Sequence, residues 1–193
     1  MRKITLIVAL IGLSIAANAQ TVKLQSAISD LRNGRLNKAK ANIDAAAEHE
    51  DTKNDPKTWI YKGLIYCQLG APDVKDKYKG LCDNCFEVAY EAALRCKELD
   101  QTNEYKELNN SVFRAVGGAY YNNTVDIYTA ATQKNDTNLY REAIRMAEEV
   151  IKINNNSGDK SSTGDAYWIA GLSAEMLKDA TAIEKYYKIL GEC

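Results

Sequence analysis

The chain has 193 residues, of which 46% are hydrophobic and 26% are charged, a composition typical of a globular domain. This length is sufficient for one domain with its own apolar core. The formal net charge is −1, and no basic stripe interleaved with aromatic residues occurs in the sequence, which argues against nucleic acid as a partner.

The first 19 residues have the order of a cleavable signal peptide. Two basic residues follow Met1, an apolar run covers residues 4–15, and small residues stand at Ala17 and Ala19, where signal peptidase requires them. The run is too short to cross a bilayer, which needs about 20 apolar residues. We therefore expect cleavage after Ala19 and a periplasmic or secreted chain that does not span the membrane. The alternative is a buried N-terminal helix.

A helix with a close neighbour is predicted near residue 60. Trp59, Gly63, Tyr66 and Gly70 are separated by four, three and four positions, which places them on one helical face. A glycine inside a helix costs about 1 kcal/mol relative to alanine, so Gly63 indicates that another helix packs closely against it. Gly70, with Pro72 two residues later, predicts the end of this helix.

Partial copies of this pattern recur, and second helical patterns of small and apolar residues accompany them. Gly118-x-x-Tyr121 and Tyr167-x-x-x-Gly171 match parts of the first pattern. No alternation typical of strands interrupts the copies, which predicts an all-α domain. The second patterns consist of Ala39, Ile43 and Ala46, then Tyr140, Ala143, Ala147 and Val150, and then Ala182, Tyr186 and Ile189.

The Trp, Gly and Tyr series with its second helix resembles the tetratricopeptide repeat, although Lys62 stands where that family usually has leucine. The resemblance implies a right-handed solenoid of about four antiparallel helix hairpins over residues 20–193. In the third hairpin, the first helix is predicted to continue through residues 125–133. The implied hairpins cover approximately residues 21–50, 56–100, 104–154 and 163–190.

Small residues have a defined place in such a solenoid, because they let the partner helix of each hairpin approach. The resemblance implies this position for Gly63 and for its equivalents Ala27, Gly118 and Gly171. Tyr66 would fill the space against the next hairpin.

The resemblance also implies a function, because these hairpins commonly hold a segment of another protein on the concave surface that their first helices line. The positions one step beyond the glycine face are mostly apolar. We therefore expect a non-enzymatic module that binds an apolar helix or extended segment of a protein partner in the cell envelope. The alternative is that these residues are core, covered by the chain's own helices. The predicted partner-binding residues are Leu24, Ile28, Leu31, Ile60, Leu64, Cys67, Asn122, Trp168, Leu172 and Met176, with Ala115 and Ala119 at matching positions.

The sequence contains no recognisable catalytic, cofactor or metal motif. The single histidine, His49, lies at a predicted helix end with no signature around it. The polar segment 153–165 lacks the Gly-Lys-Ser/Thr ending of a phosphate loop and the alternating aspartates of a calcium loop, which favours a linker. We therefore expect no catalytic residue, no metal and no cofactor.

Five cysteines in an exported chain would meet an oxidising compartment, where pairing is common. Cys82 and Cys85 have the spacing of a redox motif, but the predicted context is a helical hairpin rather than a strand and helix. A local structural disulfide, free buried thiols, and redox or metal chemistry remain open, and Cys67 is a competing partner for either residue. The alternative function is therefore a thiol–disulfide or thiolate–metal protein centred on Cys82 and Cys85.

The last hairpin ends with apolar side chains and no polar capping helix. Such a surface needs a cover. Three covers for the last hairpin are open: the solenoid's own groove folded onto this hairpin, a partner or second copy of the chain, or further residues of a longer natural chain. We favour a partner or self-association through this hairpin, with Cys193 as an intermolecular link.

Overall fold

The computed structural model describes residues 22–158 and 161–191, and all regular secondary structure in these two ranges is helical. The all-α prediction is confirmed for this part of the chain, whereas the right-handed solenoid stays a prediction. The predicted signal peptide and Cys193 lie outside the described residues. The helices are α1 (22–32), α2 (Leu36–Glu48), α3 (Pro56–Gly70), α4 (Pro72–Lys75), α5 (Cys85–Leu99), α6 (Lys106–Lys134), α7 (Thr137–Ser157), α8 (Ser161–Leu177) and α9 (Ala180–Leu190).

None of the helices in the described ranges combines the length and the apolar character needed to cross a membrane. The chain divides into two compact units, of which the first extends to Asn109 and the second begins at Asn110.

The first unit is built around α3, which packs against α2 and α5. The small and apolar residues of α2 are buried, since Ala39, Ile43 and Ala46 all have an exposed fraction of 0%. Ile60 and Ile65 of α3 are equally buried. Small side chains in α2 allow the two helices to approach, and the branched side chains of α3 fill the space between them.

Local sequence signals set both ends of α3. The carboxylate of Asp55 accepts a hydrogen bond from the backbone N–H of Lys57 at 2.8 Å, and Pro56 occupies the first turn, where its missing N–H costs nothing. The helix ends at Gly70, and Pro72 begins the short helix α4. The predicted end of this helix is confirmed.

A polar cluster joins α2 to α3. The Asp44 carboxylate accepts hydrogen bonds from the Tyr66 hydroxyl at 2.9 and 3.0 Å, and it pairs with Lys40 at 2.9 Å and Lys62 at 3.1 Å. Burial opposes the ionisation of Asp44, but the two lysines and the hydroxyl outweigh it, so the pKa of Asp44 lies below its ordinary value. Lys62 of α3 therefore ties the two helices together through Asp44 of α2.

We expect Asp44→Asn to weaken the acid sensitivity of the fold. Because the folded-state pKa lies below the ordinary value of 3.8, the ionised carboxylate stabilises the folded state above pH 3.8. That contribution is lost as the pH falls through the folded-state pKa. Urea denaturation at neutral pH and below pH 3.8 measures the difference in free energy of unfolding. The exposed Asp126 provides the control Asp126→Asn, and an equal effect of both variants would contradict the assignment.

In the second unit, α8 packs against both α7 and α9. The Asp136 carboxylate caps α7 by accepting from the N–H of Asn138 at 2.8 Å, and Gly158 ends the helix with a left-handed φ of +69°. Helix α6 includes residues 125–133, as predicted. The core cluster of this unit consists of Ala147, Val150, Ile151, Ala166, Ala170, Ala174 and Tyr186.

One of the predicted glycine contacts is wrong. Gly118 is exposed, and within the part of the chain that the structure describes no neighbouring atom lies within 4 Å of a Cβ placed on it. The preceding Gly117 is buried, and a Cβ there would meet the side-chain oxygen of Asn154 in α7. The register of α6 thus turns Gly117, and not Gly118, toward α7. Gly63 is buried in α3.

Candidate partner-binding face

Helix α8 presents three large apolar side chains on one side. Trp168, Leu172 and Met176 follow each other at intervals of four residues, which places them along one stripe. Trp168 is 54% exposed and Met176 is 47% exposed, while Leu172 is partly buried. The other side of the helix is made of small residues that pack into the core cluster, namely Ala166, Ala170 and Ala174.

Two carboxylates share this side of α8. Asp165 lies three residues before Trp168 and Glu175 lies seven residues after it, so both fall on the same helical face, and both are exposed. The sequence of α8 contains no lysine or arginine. We refer to Asp165, Trp168, Leu172, Glu175 and Met176 as the α8 face, which is apolar along its length and acidic in charge.

Tyr187 of α9 supports the indole of Trp168. The two ring centroids are 5.9 Å apart, with the ring planes inclined by 50°. The tyrosine ring lies over Gly171, where a Cβ would come within 2.5 Å of a ring carbon. The Tyr187 hydroxyl is hydrogen-bonded to Glu175, and burial together with this bond raises the pKa of Tyr187 to about 12. Tyr187 is therefore a neutral donor that fixes both Trp168 and Glu175.

The helix that carries Tyr187 is fixed to α7 by a second polar cluster. Glu148 of α7 accepts hydrogen bonds from Lys185 Nζ at 2.7 Å and from the Tyr186 hydroxyl at 2.8 Å. The hydrogen bond from Lys185 lowers the pKa of Glu148, in opposition to desolvation. Because Tyr186 is only 3% exposed, this contact holds α9 in a defined register. The position of Tyr187 over α8 follows from that register.

The other predicted partner-binding residues lie elsewhere. Leu24, Ile28 and Ile60 are buried in the first unit, with exposed fractions of 2%, 4% and 0%, as the alternative of a covered core requires. The structure thus brings three of the predicted residues together on the α8 face. The remaining positions are Leu31, Leu64, Cys67 and Ala119, which are partly buried, and Asn122 and Ala115, which are exposed.

The cysteines of the first unit form one close pair and two free thiols. The sulfurs of Cys82 and Cys85 lie at disulfide distance, with Cα atoms 5.4 Å apart. Cys67, the competing partner, is free, as is Cys96. Burial raises the pKa of both free thiols to about 12. Among the described residues, no group of three or more His, Cys, Asp or Glu side chains is arranged to hold a metal ion.

Sequence reasoning missed Tyr187 and the two carboxylates of the α8 face. Gly171 is the sequence signal that could have pointed to Tyr187, because a glycine within a helix allows a neighbouring side chain to approach closely. The acidic character could have been found from the absence of lysine and arginine in the sequence of α8.

Comparison of the chain with protein families, curated proteins and solved structures gives no significant match to any of them.

Proposed function

We propose that this protein is a non-enzymatic interaction module whose α8 face binds an amphipathic helix of a partner protein. The observation that carries the proposal is the exposed Trp168, held in place by the ring of Tyr187. Tryptophan is enriched among the residues that contribute most to binding, and an anchor that is already ordered loses little entropy on association. Leu172 and Met176 extend the apolar stripe over two further turns, which suits a helix as the occupant.

The charge of the α8 face selects the partner's chemistry. Asp165 and Glu175 flank Trp168, and α8 supplies no lysine or arginine to balance them. A partner helix with an apolar stripe bordered by lysine or arginine would complement both features, whereas acidic flanks would be repelled. The proposed partner is therefore a basic amphipathic helix.

The same proposal includes the class of repeat and the location of the protein. Support for a tetratricopeptide-like solenoid comes from the buried small residues of α2 and from Gly171 beneath Tyr187. Support for export comes from the basic, apolar and small order of residues 1–19. A module of this kind would act in the cell envelope or outside the cell.

Two synthetic helical peptides with the same leucine stripe, one with lysine flanks and one with glutamate flanks, test the proposed function. In a Trp59→Phe background, Trp168 is the remaining tryptophan and reports binding through its fluorescence. We expect the lysine peptide to shift the emission to shorter wavelength and to bind at least about tenfold more tightly than the glutamate peptide. Replacing both Leu172 and Met176 by serine should weaken binding about tenfold or more.

The matched control is Leu94→Ser on α5, because Leu94 is also partly exposed, at 37%, but lies outside the α8 face. This variant should bind the lysine peptide like the parent protein. Failure of both peptides to bind would refute the proposed function, and equal binding of both would refute only its charge selectivity. Emission that depends on protein concentration without peptide would instead identify a second copy as the occupant.

A further inference from the structure

A small cavity adjoins the cysteine pair in the loop between α4 and α5. Its volume is about 150 Å³, and its lining includes Leu69, Asp76, Tyr78, Lys79, Cys82 and Asp83. The loop is anchored to the turn between α1 and α2, because the Tyr78 hydroxyl donates a hydrogen bond to the Gly34 carbonyl at 2.8 Å. The cavity therefore lies in a loop that has a defined attachment to the rest of the first unit.

The two sulfurs of the pair differ in access. Cys82 is partly exposed and contributes to the lining of the cavity. Cys85 is the first residue of α5 and is only 6% exposed. Cys82 is thus the member of the pair that borders the cavity, whereas Cys85 is almost fully buried.

We propose that the Cys82–Cys85 disulfide exchanges with a dithiol of a peptide or protein that approaches through this cavity. A thiolate of the dithiol attacks Cys82 Sγ, a new S–S bond forms there, and the Cys82–Cys85 bond breaks with its electron pair passing to Cys85 Sγ. The second thiolate of the dithiol then attacks the partner's sulfur in this mixed disulfide. The partner's own disulfide forms, and Cys82 leaves as a thiolate. The partner is oxidised to a disulfide, and Cys82 and Cys85 are reduced to two thiols.

The position of Cys85 favours it as the leaving group. A thiolate at the start of a helix is stabilised by the positive end of the helix dipole, and the 15 residues of α5 supply that dipole. Competition from the other thiols of the first unit is small. Burial raises the pKa of Cys67 and Cys96 to about 12, so little of either thiol is ionised at neutral pH.

Single-cysteine variants of the pair test which sulfur is reactive. Cys85→Ser and Cys82→Ser are made in a Cys193→Ser background of the full chain, and each is treated with cystamine, a cationic disulfide. Peptide mapping by mass spectrometry follows the mixed disulfide. We expect the thiol of Cys82, in the Cys85→Ser protein, to react at least about tenfold faster than the thiol of Cys85 in the other variant.

The charge of the cavity provides a second readout. The lining of the cavity includes two carboxylates, Asp76 and Asp83, and one ammonium group, Lys79. Cystamine should therefore react with Cys82 faster than dithiodipropionate, which is anionic, and the Asp76→Asn variant should reduce the difference. Equal rates for the two reagents would refute the approach through the cavity.

The folded protein with its native cysteine pair gives the decisive result. Dithiothreitol should open the Cys82–Cys85 disulfide while circular dichroism shows that the helices remain intact. If the disulfide resists dithiothreitol until the chain unfolds, the pair is a structural link and the proposal is overturned. If Cys85 reacts as fast as Cys82, the assignment of Cys82 as the attacked sulfur is overturned. None of these outcomes depends on binding at the α8 face, so the two proposals fail independently.

Discussion

Replacement of Ile60 by alanine is expected to lower the free energy of unfolding by about 2–5 kcal/mol. The Ile60 side chain is fully buried, and it belongs to α3, the helix against which α2 and α5 pack. Removing its outer carbons loses their transfer from water and leaves a space that the neighbouring helices cannot fully close. Urea denaturation followed by circular dichroism measures the loss, with an unchanged dependence on urea showing that the unfolding reaction is the same.

The matched control is Met176→Ala. Both positions were predicted from the sequence as members of one partner-binding surface, but Met176 is 47% exposed in the structure. Its replacement should change the free energy of unfolding by no more than about 0.5 kcal/mol. If Ile60→Ala lowers the free energy of unfolding no more than this control does, then Ile60 is not part of the core. The sequence-based prediction that Ile60 is accessible to a partner would then stand.

The contrast between Ile60 and Trp168 shows how far the sequence could predict the candidate site. Helical spacing determines which residues share a face, and it did so for Trp168, Leu172 and Met176. Spacing does not determine what covers that face, because the cover comes from other helices distant in sequence. In the first unit Ile60 is covered, and in the second unit Trp168 is more than half exposed, at 54%.

Helix ends and the fold class were more accessible to sequence reasoning. Gly70 and Pro72 act through local backbone geometry, so their effects do not depend on the rest of the fold. The small residues Ala39 and Ala46 likewise predicted a buried helix face, because alanine at helical spacing on an apolar face allows close packing. Local rules therefore identified the end of α3 and the buried face of α2, while tertiary packing decided which surfaces remained open.

The cysteine pair could be predicted from the sequence only in part. The spacing of Cys82 and Cys85 allowed a local disulfide, and the structure places their sulfurs at bonding distance. The sequence could not choose between this link and one to Cys67, since the path of the loop between α4 and α5 decides the distances. The cavity beside Cys82 also depends on that path, because its lining combines Leu69 of α3 with loop residues such as Asp83.

Gly171→Leu should destabilise the protein by about 2–3 kcal/mol, as expected for overpacking at a helix contact. A Cβ added at this position would come within 2.5 Å of the Tyr187 ring, and that ring is held by Trp168 and by the hydrogen bond of its hydroxyl to Glu175. Leucine favours a helix by nearly 1 kcal/mol relative to glycine, which offsets only part of the cost.

Gly118→Leu is the matched control, because Gly118 is an exposed helical glycine with no atom of the described neighbouring elements within 4 Å of the added Cβ. Here only the gain in helix propensity acts, so the free energy of unfolding should stay the same or rise by up to about 1 kcal/mol. Thermal and urea denaturation of the two variants should therefore give changes of opposite direction. The Gly171→Leu protein should also show altered Trp168 fluorescence, since displacement of Tyr187 removes the support of the indole. If both leucines shift stability equally and leave the emission unchanged, Tyr187 does not pack over Gly171, and the ordered anchor on which the proposed binding face depends is absent.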